Sequence, residues 1–259
     1  MGSQRTTIRE VVDANDPAIA KAHRLLRQIF PKSELVRQGE WRETLQEYEA
    51  GLWTDIRWHL VIGERAGRVI GVATGTYLGN VNIGVIGYLA VSPAARHLGM
   101  GPRLRAKLAA FFQRDAQRLT GTPLQAIVGE VRRDNPWLRT LVRREGVLAL
   151  DFPYLQPRLR RDEGPVSLVM YYESYDRVRR RLPTETIRRL LYTIWRRIYR
   201  VQRPMADAAF RQMLRALAGR RSVGGIKPDM LTRTELVADT STRSGQVRSS
   251  TRKRQPGAG

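Results

Sequence analysis

The sequence predicts a mixed α/β fold, a central mixed sheet flanked by helices, with a basic C-terminal helical extension and a disordered tail. Three observations predict it. Strand-like and helix-like segments follow the order β-α-α-β-β-β-α-β-α-β-β over about the first 175 residues. One of those strands, Ile83–Val91, is apolar almost throughout, as a strand covered on both faces must be. Charge also changes near Tyr175: residues 1–175 carry 25 basic and 18 acidic side chains, and residues 176–259 carry 21 and 6. The expected division is a folded domain over residues 1–175, an amphipathic helical extension over 176–220, and a mostly disordered tail over 221–259.

Each element has its own signal. Residues 6–12 read as a first strand, and Asp16-Pro17 opens a helix whose apolar stripe is Ile19, Leu25, Leu26, Ile29 and Phe30, stopped by Pro31. Trp41, Leu45, Tyr48 and Leu52 recur at helical spacing over residues 40–52. Two strands, 57–63 and 67–78, are joined by the turn Glu64-Arg65-Ala66-Gly67. After Ile83–Val91, Ser92-Pro93 ends the strand and a glycine-bearing turn leads into a helix over 102–119. Residues 124–131 are strand-like, 135–145 helical with Gly146 as the stop, and 147–151 and 166–173 again strand-like. The segment 151–157, with two prolines and two aromatics, is expected to be a rigid loop near a cleft mouth.

Composition removes several kinds of chemistry. There is no cysteine, which excludes disulfides, thiolate metal sites and a thiol nucleophile. Three dispersed histidines, His23, His59 and His97, make a histidine metal site a poor prospect, so no metal is expected. No apolar run approaches the roughly 20 residues of a membrane span, and residues 1–6 hold no apolar signal core. A cytoplasmic location is expected, with a peripheral hold on the membrane as its variant. The arginine excess, 41 Arg to 5 Lys, fits phosphate recognition, but a GC-rich genome is the simpler source of it.

The stretch that carries chemistry is Leu89-Ala90-Val91-Ser92-Pro93-Ala94-Ala95-Arg96-His97-Leu98-Gly99-Met100-Gly101-Pro102. A strand runs into a turn with two glycines and then directly into a helix. Glycines let backbone N–H groups turn inward, and a helix N-terminus adds partial positive charge, so the arrangement suits an anion. Taken alone it is also an ordinary structural turn.

The run Arg96-x-x-Gly99-x-Gly101 resembles the Gln/Arg-x-x-Gly-x-Gly/Ala motif of the GNAT N-acetyltransferase superfamily, and the preceding strand, Pro93 and the element order over about residues 5–175 agree with it. The resemblance implies acetyl-CoA as co-substrate. Arg96, His97, Leu98, Gly99, Met100 and Gly101 would hold its pyrophosphate, and Leu89, Ala90 and Val91 would pair with its pantetheine arm. Asn135, Leu141 and Gly146 line up with a second family segment, which places Asn135 near the pantetheine. The tyrosine that often serves as general acid in the family falls on Val142, which cannot donate a proton; Tyr154, Tyr171 and Tyr172 are the substitutes, each also readable as a packed aromatic.

An attacking amine must lose a proton, and Glu130 is the candidate base because it interrupts the apolar strand 124–131. The other reading pairs it at the surface with Arg132 or Arg133. Glu34 is the candidate anchor for a cationic acceptor, or a solvated loop residue. The expected activity is acyl transfer, most simply acetyl, from CoA to a primary amine by direct attack. The alternative is a non-catalytic module that binds CoA, nucleic acid or membrane.

In the extension, Ile187, Leu190, Leu191, Ile194, Trp195, Ile198 and Val201 form an apolar stripe among arginines. Residues 184–203 therefore fit packing on the domain or a second copy of it (a homodimer), an anionic membrane surface, or nucleic acid. A shorter helix is expected around Ala208, Phe210, Met213 and Leu217.

Overall fold

In the computed structural model, which describes residues 5–231, eight strands form the central sheet. They are β1 Thr7–Val11, β2 Ile56–Arg65, β3 Arg68–Leu78, β4 Ile83–Val91, β5 Ala126–Val131, β6 Val147–Ala149, β7 Tyr154–Gln156 and β8 Val166–Ser174. The order is β1-β2-β3-β4-β5-β8-β6, and β7 also pairs with β8. All pairings are antiparallel except that of β4 with β5. A parallel pair needs a crossover, and α3 (Met100–Thr120) provides it. Helices α1 (Ala18–Arg27) and α2 (Gln38–Glu49) connect β1 to β2, and α4 (Pro136–Leu141) follows β5.

Alternation along β2 and β3 decides which face each helix covers. Leu60, Ile62 and Val72 pack with Ile19 and Leu26 of α1 and Trp41 of α2. Val61, Ala73 and Tyr77 point the other way, against Leu104, Leu108 and Phe112 of α3. Glycine lets α3 approach closely: a Cβ on Gly75 would lie 2.6 Å from Phe112 Cζ. That close seat fixes the N-terminus of α3 at the end of β4.

The extension is built onto the same sheet. Strands β9 (Arg181–Pro183) and β10 (Ser222–Gly224) pair with each other, and α5 (Thr184–Thr193) runs into a π-helical turn, Ile194–Ile198. Helix α6 is Ala208–Ala216. Ile187, Ile194, Trp195 and Phe210 share one apolar cluster with Val85, Val128, Met170 and Tyr172 of the sheet. Trp195 is completely buried, and burying a large apolar side chain contributes about 1.5–3 kcal/mol. The apolar stripe is thus spent inside the chain, while Arg188, Arg189 and Arg196 stay exposed.

Several expectations from the sequence are corrected here. The apolar stripe from Ile187 to Val201 does not lie on one helix: α5 gives way to a π turn, after which Arg200 takes a positive φ of 55°. The helix expected over 135–145 stops at Leu141. The loop 151–157 contains strand β7, and within the stretch placed in the tail residues 222–224 form β10 and Pro228–Leu231 a 3-10 turn. The rest of that stretch, 232–259, lies outside the described residues.

Candidate active site

Strands β4 and β5 pair from Ile83 with Ala126 to Ile86 with Gly129 and then part. Beyond that point β4 continues to Val91 against β3, and β5 continues to Val131 against β8. Among the described residues, one edge of β4 from Gly87 onward therefore has no strand beside it. Burial changes at the same place: Ile83 to Ile86 are buried and Gly87 is exposed. A register shift lies here too, with Thr74 opposite Tyr88, Gly75 opposite Ile86, and Gly87 the extra residue. The bulge resets the alternation, so that Val85 before it and Tyr88 after it both face the α1–α2 side. Tyr88 N–H consequently donates to Thr74 Oγ1 at 3.0 Å.

Past Val91 the chain makes a 3-10 turn, Pro93–Leu98, and enters α3 through Gly99 at φ +60°. A Cβ at Gly99 would meet nothing within 4 Å, and one at Gly101 only Val91 Cγ2 at 3.7 Å. The first turn of α3 has no acidic residue and no side-chain cap, while Arg96 and His97 are exposed beside it. An unpaired strand edge leading to open, uncapped helix amides fits an extended chain that ends in a pyrophosphate. Among the described residues no group of His, Asp and Glu is arranged to hold a metal.

Glu130 faces the opposite way from Gly129, toward the α5 side. Tyr154 donates its hydroxyl to Oε1, and Tyr199, just past the π turn, donates to Oε2. Burial pushes the carboxyl up to about 7 against the opposing effect of the two hydroxyls. Both tyrosines are held far above the usual phenol range, chiefly by burial and then by the Glu130 charge, so both remain donors. The surface pairing with Arg132 or Arg133 does not occur: Arg132 binds Glu34, with Nη2 2.6 Å from Oε1, and Arg133 donates to Met230 O.

Glu130 sits in a cleft of about 1080 Å³, mouth included, bounded by α2, the middle of the sheet and the π turn. Tyr199 lines this cleft; Tyr154, wholly buried, does not. Glu34 lines it as well, nearly buried and already paired with Arg132. Tyr88 ties the wall together by donating to Glu34 O at 2.8 Å and accepting from Val36 N–H at 3.0 Å.

The structure thus brings Glu130, Tyr154 and Glu34 to one region, and Leu89, Ala90, Val91 and the residues from Arg96 to Gly101 to the adjoining strand end and turn. Asn135 is exposed and caps α4, its Oδ1 accepting from Trp137 N–H at 3.0 Å. Tyr171 lies over Gly129 on the other sheet face, where a Cβ would meet its ring at 2.6 Å. Tyr172 turns instead into the cluster with α5. Tyr199 was not among the residues expected from the sequence. Its signal was faint: a hydroxyl beside the apolar stripe of an arginine-rich helix.

Residues 11–124 match the family model described as the acetyltransferase (GNAT) family. Residues 11–124 are a GNAT acetyltransferase domain. Among solved structures, an acetyltransferase of that family from Bacteroides thetaiotaomicron shares 19% identity, covering 76% of this chain and 99% of its own, with a TM-score of 0.54. An acetyltransferase from Salmonella typhimurium with acetyl-CoA covers 67% and 95% at 17% identity, with a TM-score of 0.46. No curated protein matches the sequence. The GNAT domain assigns acyl transfer from acetyl-CoA in general terms. Its match ends before β5, so Glu130, Tyr154 and Tyr199 lie outside it.

Proposed function

We propose that this protein transfers an acetyl or other acyl group from CoA to a primary amine by direct attack, with Glu130 as the base. The carrying observation is a carboxyl group raised to about 7, set in a cleft between two tyrosine donors and beside the parting of β4 and β5. A base near neutrality is the one best matched to proton transfer at physiological pH.

Acetyl-CoA would supply the acyl group: the nitrogen–carbon bond forms, the carbon–sulfur bond breaks with its electron pair on sulfur, and the thiolate takes up a proton from solvent, matching the one Glu130 takes from the amine and later releases. The chain's own work is positioning. The edge of β4 at Leu89, Ala90 and Val91 offers backbone hydrogen bonds, Arg96 to Gly101 with the α3 N-terminus offer charge and N–H groups, and Glu130 takes the amine's proton. Tyr154 and Tyr199 orient the carboxylate. Tyr154, expected from the sequence as a proton donor to the leaving group, fits a positioning role because its hydroxyl is committed to Glu130.

Thermal unfolding with and without acetyl-CoA tests this reading, using wild type and a Gly99→Glu, Gly101→Glu double variant. At about 100 times its Kd, the ligand should stabilise wild type by roughly 2.7 kcal/mol. Both positions have open space, and a side chain at Gly99 costs about 1–2 kcal/mol at its φ of +60°, so the variant should fold with lower stability and should lose the shift. No shift in folded wild type would contradict the proposal.

A further inference from the structure

The cleft is more specialised than acyl transfer to an amine requires. Trp41 lies 5.9 Å from Trp58 and 6.3 Å from Tyr88, and Phe30 lies 5.4 Å from Tyr88, ring centroid to centroid. These four rings form one interlocked wall, while the floor carries small residues, Thr74, Thr76 and Gly87. Three carboxylates line the space: Glu34, already paired with Arg132, Glu40, which accepts from Arg37 N–H, and Glu130.

Two cations also line it, and both are spent. Arg197 holds Asp55 at 2.7 Å and Arg200 holds Glu47 at 2.6 Å, with their guanidinium groups 5.5 and 6.0 Å from the centre of the Trp53 ring. The same contacts bind the π turn to α2 and to the approach to β2, which roofs the cleft. The extension thereby closes a space that would otherwise open along the sheet.

We infer that the acceptor is a small primary amine on a planar apolar body and without a carboxylate, an arylalkylamine in chemical class. The inference rests on the acyl-transfer reading above and specifies its second substrate. Aromatic faces and carboxylates attract the incoming ammonium, the ring of the acceptor lies against the tryptophans, and the amine reaches Glu130. An amino acid with the same ring brings a carboxylate among three others, with both lining arginines already paired. A peptide has to thread its chain beneath the Trp53 roof.

Phenethylamine, phenylalanine and a short peptide with an N-terminal phenylalanine are the probes. Trp41, Trp53 and Trp58 face the cleft, so tryptophan fluorescence reports binding without acetyl-CoA, and thiol release reports transfer. Phenethylamine should bind at least about a hundredfold more tightly than phenylalanine and exceed it similarly in kcat/KM, since a buried, unpaired carboxylate is heavily penalised. Trp53→Ala should weaken phenethylamine by about tenfold, the loss expected of an aromatic ring contact, and leave the acetyl-CoA thermal shift in place. If Trp53→Ala does not fold, Thr44→Phe fills the cleft from α2 and should give the same result. Phenylalanine or the peptide binding as well as phenethylamine, or no binding of phenethylamine, overturns the acceptor class. With the acetyl-CoA shift present, acyl transfer still stands; with the shift absent, both fall.

Discussion

Sixty-nine residues separate Glu130 from Tyr199, yet the tyrosine hydroxyl donates to Oε2 of the carboxylate while Tyr154 occupies Oε1. The first partner comes from the extension and the second from β7. A carboxylate on β5 is thus set by two segments that follow the residues matched by the GNAT family.

Each donor favours the charged carboxylate, so removing one raises Glu130 beyond about 7. Tyr199→Phe and Tyr154→Phe should each move the ascending, low-pH limb of the kcat/KM profile to higher pH. A pH–rate series checks it. Limbs unmoved in both variants would mean that neither hydroxyl tunes the base.

The raised Glu130 also carries a stability cost. Folded, the carboxyl holds its proton to about 7; its ordinary value is 4.5. Its contribution is fully present below the unfolded value and is lost as pH rises through about 7. Glu130→Gln should therefore stabilise the fold at pH 8 by roughly 2–3 kcal/mol and by much less at pH 4.5, read from urea denaturation.

Much of this site was legible in the sequence for local reasons. Glu130 stood out as one carboxylate in an apolar strand, and Gly99 and Gly101 marked the start of α3 because a positive φ and open backbone favour glycine. Tyr199 did not stand out, because helical periodicity continued through Gln202; the π turn that aims it follows from seating Trp195 in the core, a tertiary event. The partner of Glu34 lies 98 residues away on Arg132, and no local pattern records such a pair. Strands β9 and β10 were invisible for another reason: each has three residues, rich in Arg, Pro, Ser or Gly, and exists only by pairing with the other.

On the α3 side of the sheet His59 is clamped at 2.6 Å by Glu10 and at 2.6 Å by Asp115, with its ring stacked on Phe111. Burial opposes its charge, but the two carboxylates outweigh burial and raise its pKa above 6.5. That stability is fully present below 6.5 and is lost as pH rises through the folded value. His59→Gln should cost about 3 kcal/mol at pH 6, because the buried Asp115 and the half-buried Glu10 lose their charged partner, and less at pH 9. Equal losses at both pH values in urea melts would contradict a charged histidine.

Asn135 caps α4, so Asn135→Ala should destabilise the fold by about 1 kcal/mol and Asn135→Asp, which keeps the acceptor, should not. Chemical denaturation of the two variants checks this; equal stability of all three proteins would remove the cap.

The most direct measurement is kcat/KM for acyl transfer to phenethylamine, wild type against Glu130→Gln, from pH 5 to 9. A base titrating near 7 predicts a ratio close to one at pH 5, where wild type is protonated, widening to about 10²–10³ at pH 8. Because the amine's own titration affects both enzymes alike, it cancels in the ratio. A ratio that stays constant across the range would contradict Glu130 as the base.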